Sequence, residues 1–132
     1  MNIKELVDNF SLMDDWEDRY KYLIDLGDTL PDMPDVFKTD ASKVRGCMSQ
    51  VWMVLGWDGD KRLTMLADSD AQIVRGLIAV LCTVFAGKTV DEIRQIDVEA
   101  VFAKLGLDQH LSPNRRNGFF SMVERVKAFT SA

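Results

Sequence analysis

Between Val51 and Phe85 the hydrophobic repeat of this chain changes once, and that change restricts its possible folds more than any other feature. Val51, Met53, Leu55 and Trp57 alternate with Gln50, Trp52, Val54 and Gly56, the period of a strand with one strongly apolar face. Asp58-Gly59-Asp60 is a hairpin signal, and Arg62 to Ala67 returns as the partner strand. Asp68-Ser69-Asp70 then closes the sheet and caps a helix in which Ile73, Val74, Leu77, Ile78, Val80, Leu81, Val84 and Phe85 leave few polar positions. Gly87 ends that helix at the C′ position. A helix apolar on most sides must be covered on most sides, so it forms the centre of the core, with the sheet on one flank and other helices on the other. Because a lone hairpin is marginal, a third short strand is expected, supplied by the Lys43 to Gly46 approach.

The remaining segments supply the covering helices. Asn2 with Glu5 makes a capping-box-like start for a first helix carrying Ile3, Leu6, Val7 and Phe10. Asp15 caps a second, whose stripe is Trp16, Tyr20, Leu23 and Ile24. Pro31 and Pro34 end it and open an irregular stretch to about Ser42 that leads into Cys47; a loop of that length is usually functional or mobile. Thr89 with Glu92, Asp97, and Ser112 followed by Pro113 start three further helices, the last presenting Phe119, Phe120, Met122, Val123, Val126 and Phe129 inward. Leu107 to Leu111 reads as a polar connection holding His110. The expected architecture is a single α+β domain over 1–132, a small three-stranded antiparallel sheet packed against several helices.

Several function classes are excluded or made poor. A formal net charge of −5 disfavours nucleic acid, whose binding draws on neutralised phosphates. Two cysteines and one histidine lack zinc-ligand spacing, so no metal is expected. Gly56-Trp57-Asp58-Gly59 is a hairpin without the lysine and hydroxyl of a phosphate loop. The apolar run Leu77 to Ala86 is too short to span a bilayer and the start has no signal layout, so a soluble cytoplasmic protein without membrane association is expected. Residues 1–40 are strongly acidic, whereas Arg115, Arg116, Arg125 and Lys127 face Glu124 alone from Gln109 onward. That asymmetry can steer a protein partner or can simply be a solvated face. Cations at Arg115 and Arg116 are unfavourable in the first turn of a helix, which is either a trace of function or the sign of an ion pair with the acidic N-terminal region.

The chemistry-bearing residue is Cys47, directly after a glycine, two residues after Arg45, at the mouth of the first strand. Local sequence leaves two readings open: an exposed reactive thiol, or one more small apolar residue at a strand edge. Cys82 lies in the apolar helix and reads as inert core. A Cys47/His110 hydrolytic pair has its parts present, but nothing in the chain brings them together.

Three motifs in order, Arg45-Gly46-Cys47-Met48-Ser49-Gln50-Val51-Trp52, Asp68-Ser69-Asp70-Ala71-Gln72-Ile73-Val74-Arg75-Gly76-Leu77 and Gln109-His110-Leu111-Ser112-Pro113-Asn114-Arg115-Arg116-Asn117-Gly118, resemble the signatures of the SufE family. Trp16-Glu17-Asp18-Arg19-Tyr20 and Leu26-Gly27 extend the resemblance over nearly the whole chain. Met48 departs from it, since glutamine is the more familiar neighbour of the cysteine.

The resemblance implies an IscU-like fold and a sulfur relay in iron–sulfur cluster assembly. Cys47 would take sulfur as a persulfide from a SufS- or CsdA-like cysteine desulfurase, stimulate that enzyme, and pass the sulfur to a SufBCD-type scaffold. The pyridoxal phosphate belongs to the desulfurase, and no cofactor is implied for this chain. Arg45, Gln50, Asp70, Arg115 and Arg116 are then the partner-facing or loop-supporting residues, with Asp70 also able to cap the core helix. A CsdE-like partner of a different desulfurase and a non-catalytic adaptor are the alternatives. Lowering a thiol's pKa from about 8.5 to about 7 gains only about threefold in reactivity at neutral pH, because nucleophilicity falls as thiolate rises. Positioning is the larger lever, so a loop moving between a sheltered and an extended position is expected for Cys47.

Overall fold

The computed structural model describes residues 1–131. Its elements are α1 (Ile3–Ser11), α2 (Trp16–Asp28), a 3-10 turn (Asp35–Phe37), β1 (Val51–Trp57), β2 (Leu63–Ser69), α3 (Gln72–Phe85), α4 (Val90–Gln95), α5 (Val98–Lys104), α6 (Leu107–His110) and α7 (Pro113–Thr130). The N-caps are those the sequence marks, except at α3, whose N-cap is Ala71 without a side-chain bond. Asn2, Asp15, Asp97 and Ser112 each accept a hydrogen bond from a backbone N–H of the first turn, and Thr89 and Glu92 close a reciprocal capping box. The polar connection after α5 differs from expectation: it coils into the single turn of α6, entered through Gly106 at φ 73.

β1 and β2 pair antiparallel from Val51 opposite Ser69 to Trp57 opposite Leu63. The hairpin turns through Asp58, whose carboxylate accepts from the N–H groups of Asp60 (2.8 Å) and Arg62 (3.0 Å). The left-handed position of this turn falls on Lys61, φ 61, and not on Gly59.

The expected third strand is a correction: the described residues form a two-stranded sheet. The Lys43 approach does reach β1, but as a single bridge opposite Trp52, with Val44 N–H to Val51 C=O and Met53 N–H to Ser42 C=O both at 2.8 Å. It goes no further for two physical reasons. The Ser42 N–H turns to the Thr39 hydroxyl at 3.3 Å and not to β1, and Gly46 turns the chain out of extended geometry at φ 87. The outward carbonyls of Ala41 and Lys43 are taken by Arg125 of α7.

α3 is the centre of the core, with Leu77, Ile78, Val80, Leu81, Val84 and Phe85 essentially inaccessible. It packs on β2, α1, α7 and most extensively on α2. The α2–α3 crossing is close because both partners are glycine where they meet: a β-carbon on Gly27 would stand 2.7 Å from the Gly76 nitrogen. Trp16 and Arg19 tie the α2 start to the far end of the chain. The Trp16 ring stacks on His110 at 4.2 Å between centroids, and Arg19 donates to the carbonyls of Met13 (2.9 Å) and Leu105 (3.3 Å). No helix of the described residues is long and apolar enough to cross a membrane.

Candidate functional site

Cys47 lies on the connection between the Lys43–Trp52 bridge and β1, and α7 forms the floor beneath it. Its thiol is half-buried and donates weakly to the Gly118 carbonyl at 3.5 Å. Gly118 leaves the room for this, since a β-carbon there would already stand 3.5 Å from the Cys47 sulfur. Gly46, in the left-handed region, is pressed against the same helix: an added β-carbon would lie 2.6 Å from the Ser121 hydroxyl oxygen. The positive φ favours glycine at position 46, and a larger residue there would also have to turn the Ser121 hydroxyl aside.

The thiol opens into a cavity of about 370 Å³ whose apolar wall includes Val74, Leu77, Phe119 and Met122. Its rim carries Met48, Ser49, Asn114 and Arg115. Burial pushes the Cys47 thiol above its ordinary value of 9.0. The resting group is therefore a protonated thiol at neutral pH, shielded from water on the α7 side.

The loop leaves the site under a second clamp. Asp70 accepts from the Gln50 N–H (3.0 Å) through Oδ1 and donates its own N–H to the Gln50 carbonyl (3.3 Å). That corrects one reading of Asp70: it does not cap the core helix, whose N-cap is Ala71 without a side-chain bond. The carboxylate is committed to the exit of the cysteine loop instead. Behind it, Asp68 joins Lys38 (3.2 Å) and Arg75 (3.0 Å), and Lys38 lies over the Trp52 ring at 5.3 Å.

The other residues singled out from sequence divide. Arg115 lines the cavity with Cys47 and is exposed. Arg116 turns away, donating to the Asp108 carbonyl at 3.0 Å, and borders a separate hollow with Phe102 and Phe120. Neither forms an ion pair with the N-terminal acids among the described residues. Arg45 is exposed, as is Gln50, whose part in the site is made by its backbone. His110 does not line the Cys47 cavity but stacks on Trp16, so the geometry does not assemble a cysteine–histidine pair. Among the described residues no group of His, Cys, Asp or Glu is arranged to hold a metal.

Three contacts that carry the cysteine arm on α7, those of Gly118, Ser121 and Arg125, were given no such role from the sequence. Their spacing of i, i+3 and i+7 puts them on one helix face, beside the apolar stripe of Phe119, Met122 and Val126. That spacing was the available signal.

The fold and site define a class: a small α+β protein presenting one thiol on a short, clamped loop over a helix. Residues 4–130 match the family described as SufE: Fe-S metabolism associated domain. The chain is 47% identical over 130 residues to an uncharacterized SufE-like protein of Rhizobium meliloti (strain 1021), covering 96% of this chain and 93% of that protein. It is 43% identical over 129 residues to another from Rhizobium etli, covering 96% and 87%. In fold it is similar to the solution structure of a hypothetical protein from Thermus thermophilus, with a TM-score of 0.79 at 16% identity, covering 98% of this chain and 93% of that one. The chain belongs to the SufE family, as its three motifs indicated, and with it to the sulfur-transfer side of iron–sulfur metabolism.

Proposed function

We propose that Cys47 is the sulfur carrier of this protein. Its thiolate attacks the outer sulfur of a persulfide on the active-site cysteine of a SufS- or CsdA-like cysteine desulfurase. The sulfur–sulfur bond to the desulfurase breaks, that cysteine leaves as a thiolate, and Cys47 becomes a persulfide. One sulfur atom changes hands with no net oxidation, and the Cys47 proton is released when the thiol ionises. Accepting the sulfur clears the desulfurase for another turnover, which stimulates it, and the same exchange delivers the sulfur to a SufBCD-type scaffold in the cytoplasm.

The observation that carries this reading is the seat of Cys47: a half-buried thiol over Gly118, at the end of an apolar cavity, on a loop clamped at its exit by Asp70. A persulfide held there is shielded from reductants, and ionisation is suppressed until the thiol leaves. Transfer requires the stretch around Gly46 to Ser49 to swing outward, carrying Cys47 into the partner's active site. Arg115 at the cavity, with exposed Arg45 before the cysteine and the Gln50–Asp70 pair at the loop exit, forms the partner-facing surface in this reading, while Arg116 supports the start of α7 by its bond to the Asp108 carbonyl.

Incubation with a cysteine desulfurase and free cysteine, followed by intact-mass measurement, tests the proposal. Wild type and Cys82→Ser are expected to gain sulfur and Cys47→Ser to gain none. Sulfur uptake by Cys47→Ser as ready as by wild type would sink the carrier reading. Full stimulation of the desulfurase by Cys47→Ser would favour an adaptor instead.

A further inference from the structure

The arm that delivers Cys47 runs antiparallel across one face of α7. Cys47 stands over Gly118, Gly46 over Ser121, and Lys43 and Ala41 over Arg125, so residues about one turn apart on the helix hold successive parts of the arm. Arg125 makes the strong contacts. Its Nη2 donates to the Ala41 carbonyl at 2.7 Å and its Nη1 to the Lys43 carbonyl at 3.2 Å, a fork spanning two peptide groups. On its other side this stretch is fixed to β1 by the bridge bonds of Ser42 and Val44. Among the described residues, the polar contacts between residues 41–47 and α7 are these two and the weak one from the Cys47 thiol to Gly118.

We infer that Arg125 is a positioning residue for the Cys47 thiol. By fixing the register of the arm on α7, it holds Cys47 against Gly118. It thereby sets how often the thiol emerges and how long a sulfur carried on it survives. The second half of that statement rests on the carrier reading proposed above; the first does not. Because two hydrogen bonds from a charged donor are at stake, their loss is expected to shift the balance between seated and emerged loop by about tenfold.

The inference separates from ordinary stabilisation by its sign. A residue that merely supported the fold would, on removal, slow sulfur acceptance or leave it unchanged. Loss of Arg125 is expected to speed loading while shortening the life of the loaded state. Lysine, a point charge, cannot reproduce the fork and is expected to fall between.

The test is alkylation by iodoacetamide at neutral pH, read separately at Cys47 and Cys82 by peptide mass spectrometry, for wild type, Arg125→Lys and Arg125→Met. Methionine keeps an apolar stem against the helix, which guards against general unfolding. The expected result is a rise of about tenfold at Cys47 in Arg125→Met, a smaller rise in Arg125→Lys, and no change at Cys82. With a desulfurase and free cysteine, Arg125→Met should load Cys47 faster and lose the sulfur to dithiothreitol faster. An unchanged Cys47 rate, or a Cys82 rate rising in step with it, overturns the inference. If Cys47 alkylation rises as expected but wild type itself takes up no sulfur, the positioning role stands and the carrier reading falls.

Discussion

The sulfur of Cys47 lies 3.5 Å from the carbonyl oxygen of Gly118 and equally 3.5 Å from where a β-carbon on that glycine would stand. One methyl group therefore fits in ordinary contact, and anything larger must displace the cysteine. Gly118→Ala is expected to raise the melting temperature, since alanine is favoured over glycine inside a helix by about 1 kcal/mol, and to leave Cys47 alkylation near the wild-type rate. Gly118→Leu overfills the seat and should expose the thiol, raising its alkylation about tenfold or more, in keeping with overpacking costs of about 1–3 kcal/mol. Equal Cys47 rates in Gly118→Leu and wild type would show that the thiol is not seated on this helix.

The pH dependence of Cys47 reactivity follows from the same seat. Burial disfavours the thiolate, so the wild-type alkylation rate should keep rising with pH beyond the ordinary thiol value of 9.0. In Gly118→Leu the displaced thiol meets water, and its titration midpoint should move back down toward that ordinary value. Rate–pH profiles of the two proteins measure this directly. Coincident midpoints would contradict burial as the cause.

Much of this site was legible because its parts obey local rules. The change of period at β1, the apolar length of α3 and the caps at Asn2, Asp15, Thr89, Asp97 and Ser112 are written in neighbouring residues, and the structure returns them. The third strand was illegible because its fate is decided by backbone geometry that the alternating pattern does not announce: the Ser42 N–H turns to the Thr39 hydroxyl and Gly46 enters the left-handed region, so pairing with β1 stops at the bonds of Ser42 and Val44. Asp70 looked like a helix cap because Asp-Ser-Asp before a helix usually is one. Its true partner, the Gln50 N–H, is twenty residues upstream and is brought near only by the Val51–Ser69 register. The α7 cradle was legible as a spacing, yet nothing in the sequence says which segment lies across it.

The Asp70 clamp makes a separable prediction. Asp70→Asn retains an acceptor oxygen for the Gln50 N–H, whereas Asp70→Ala does not. Asp70→Ala is expected to cost about 1 kcal/mol in urea unfolding and to raise Cys47 alkylation several-fold, because the loop exit is freed. Asp70→Asn should match wild type in both measurements. A loss in the asparagine variant equal to that in alanine would mean that the negative charge, not the hydrogen bond, holds the loop.

Cys82 offers a test of the core rather than of the site. Burial in α3 raises its thiol from 9.0 to about 11, so the folded state keeps a proton that the unfolded chain releases near the ordinary value. A raised folded pKa on such a group means that its stabilising contribution is complete below about pH 9. It declines as pH climbs from there to about 11 and is gone above that. That difference corresponds to at most about 3 kcal/mol. In a Cys47→Ser background, which leaves one thiol to titrate, unfolding free energy should fall more steeply between those pH values than in Cys47→Ser/Cys82→Ala. Alanine removes the sulfur and lowers stability at every pH, so the comparison is between slopes and not absolute values. Parallel curves would mean that Cys82 is hydrated in the folded protein, and that the hollow it borders with Leu26, Leu30 and Met65 admits water to its sulfur.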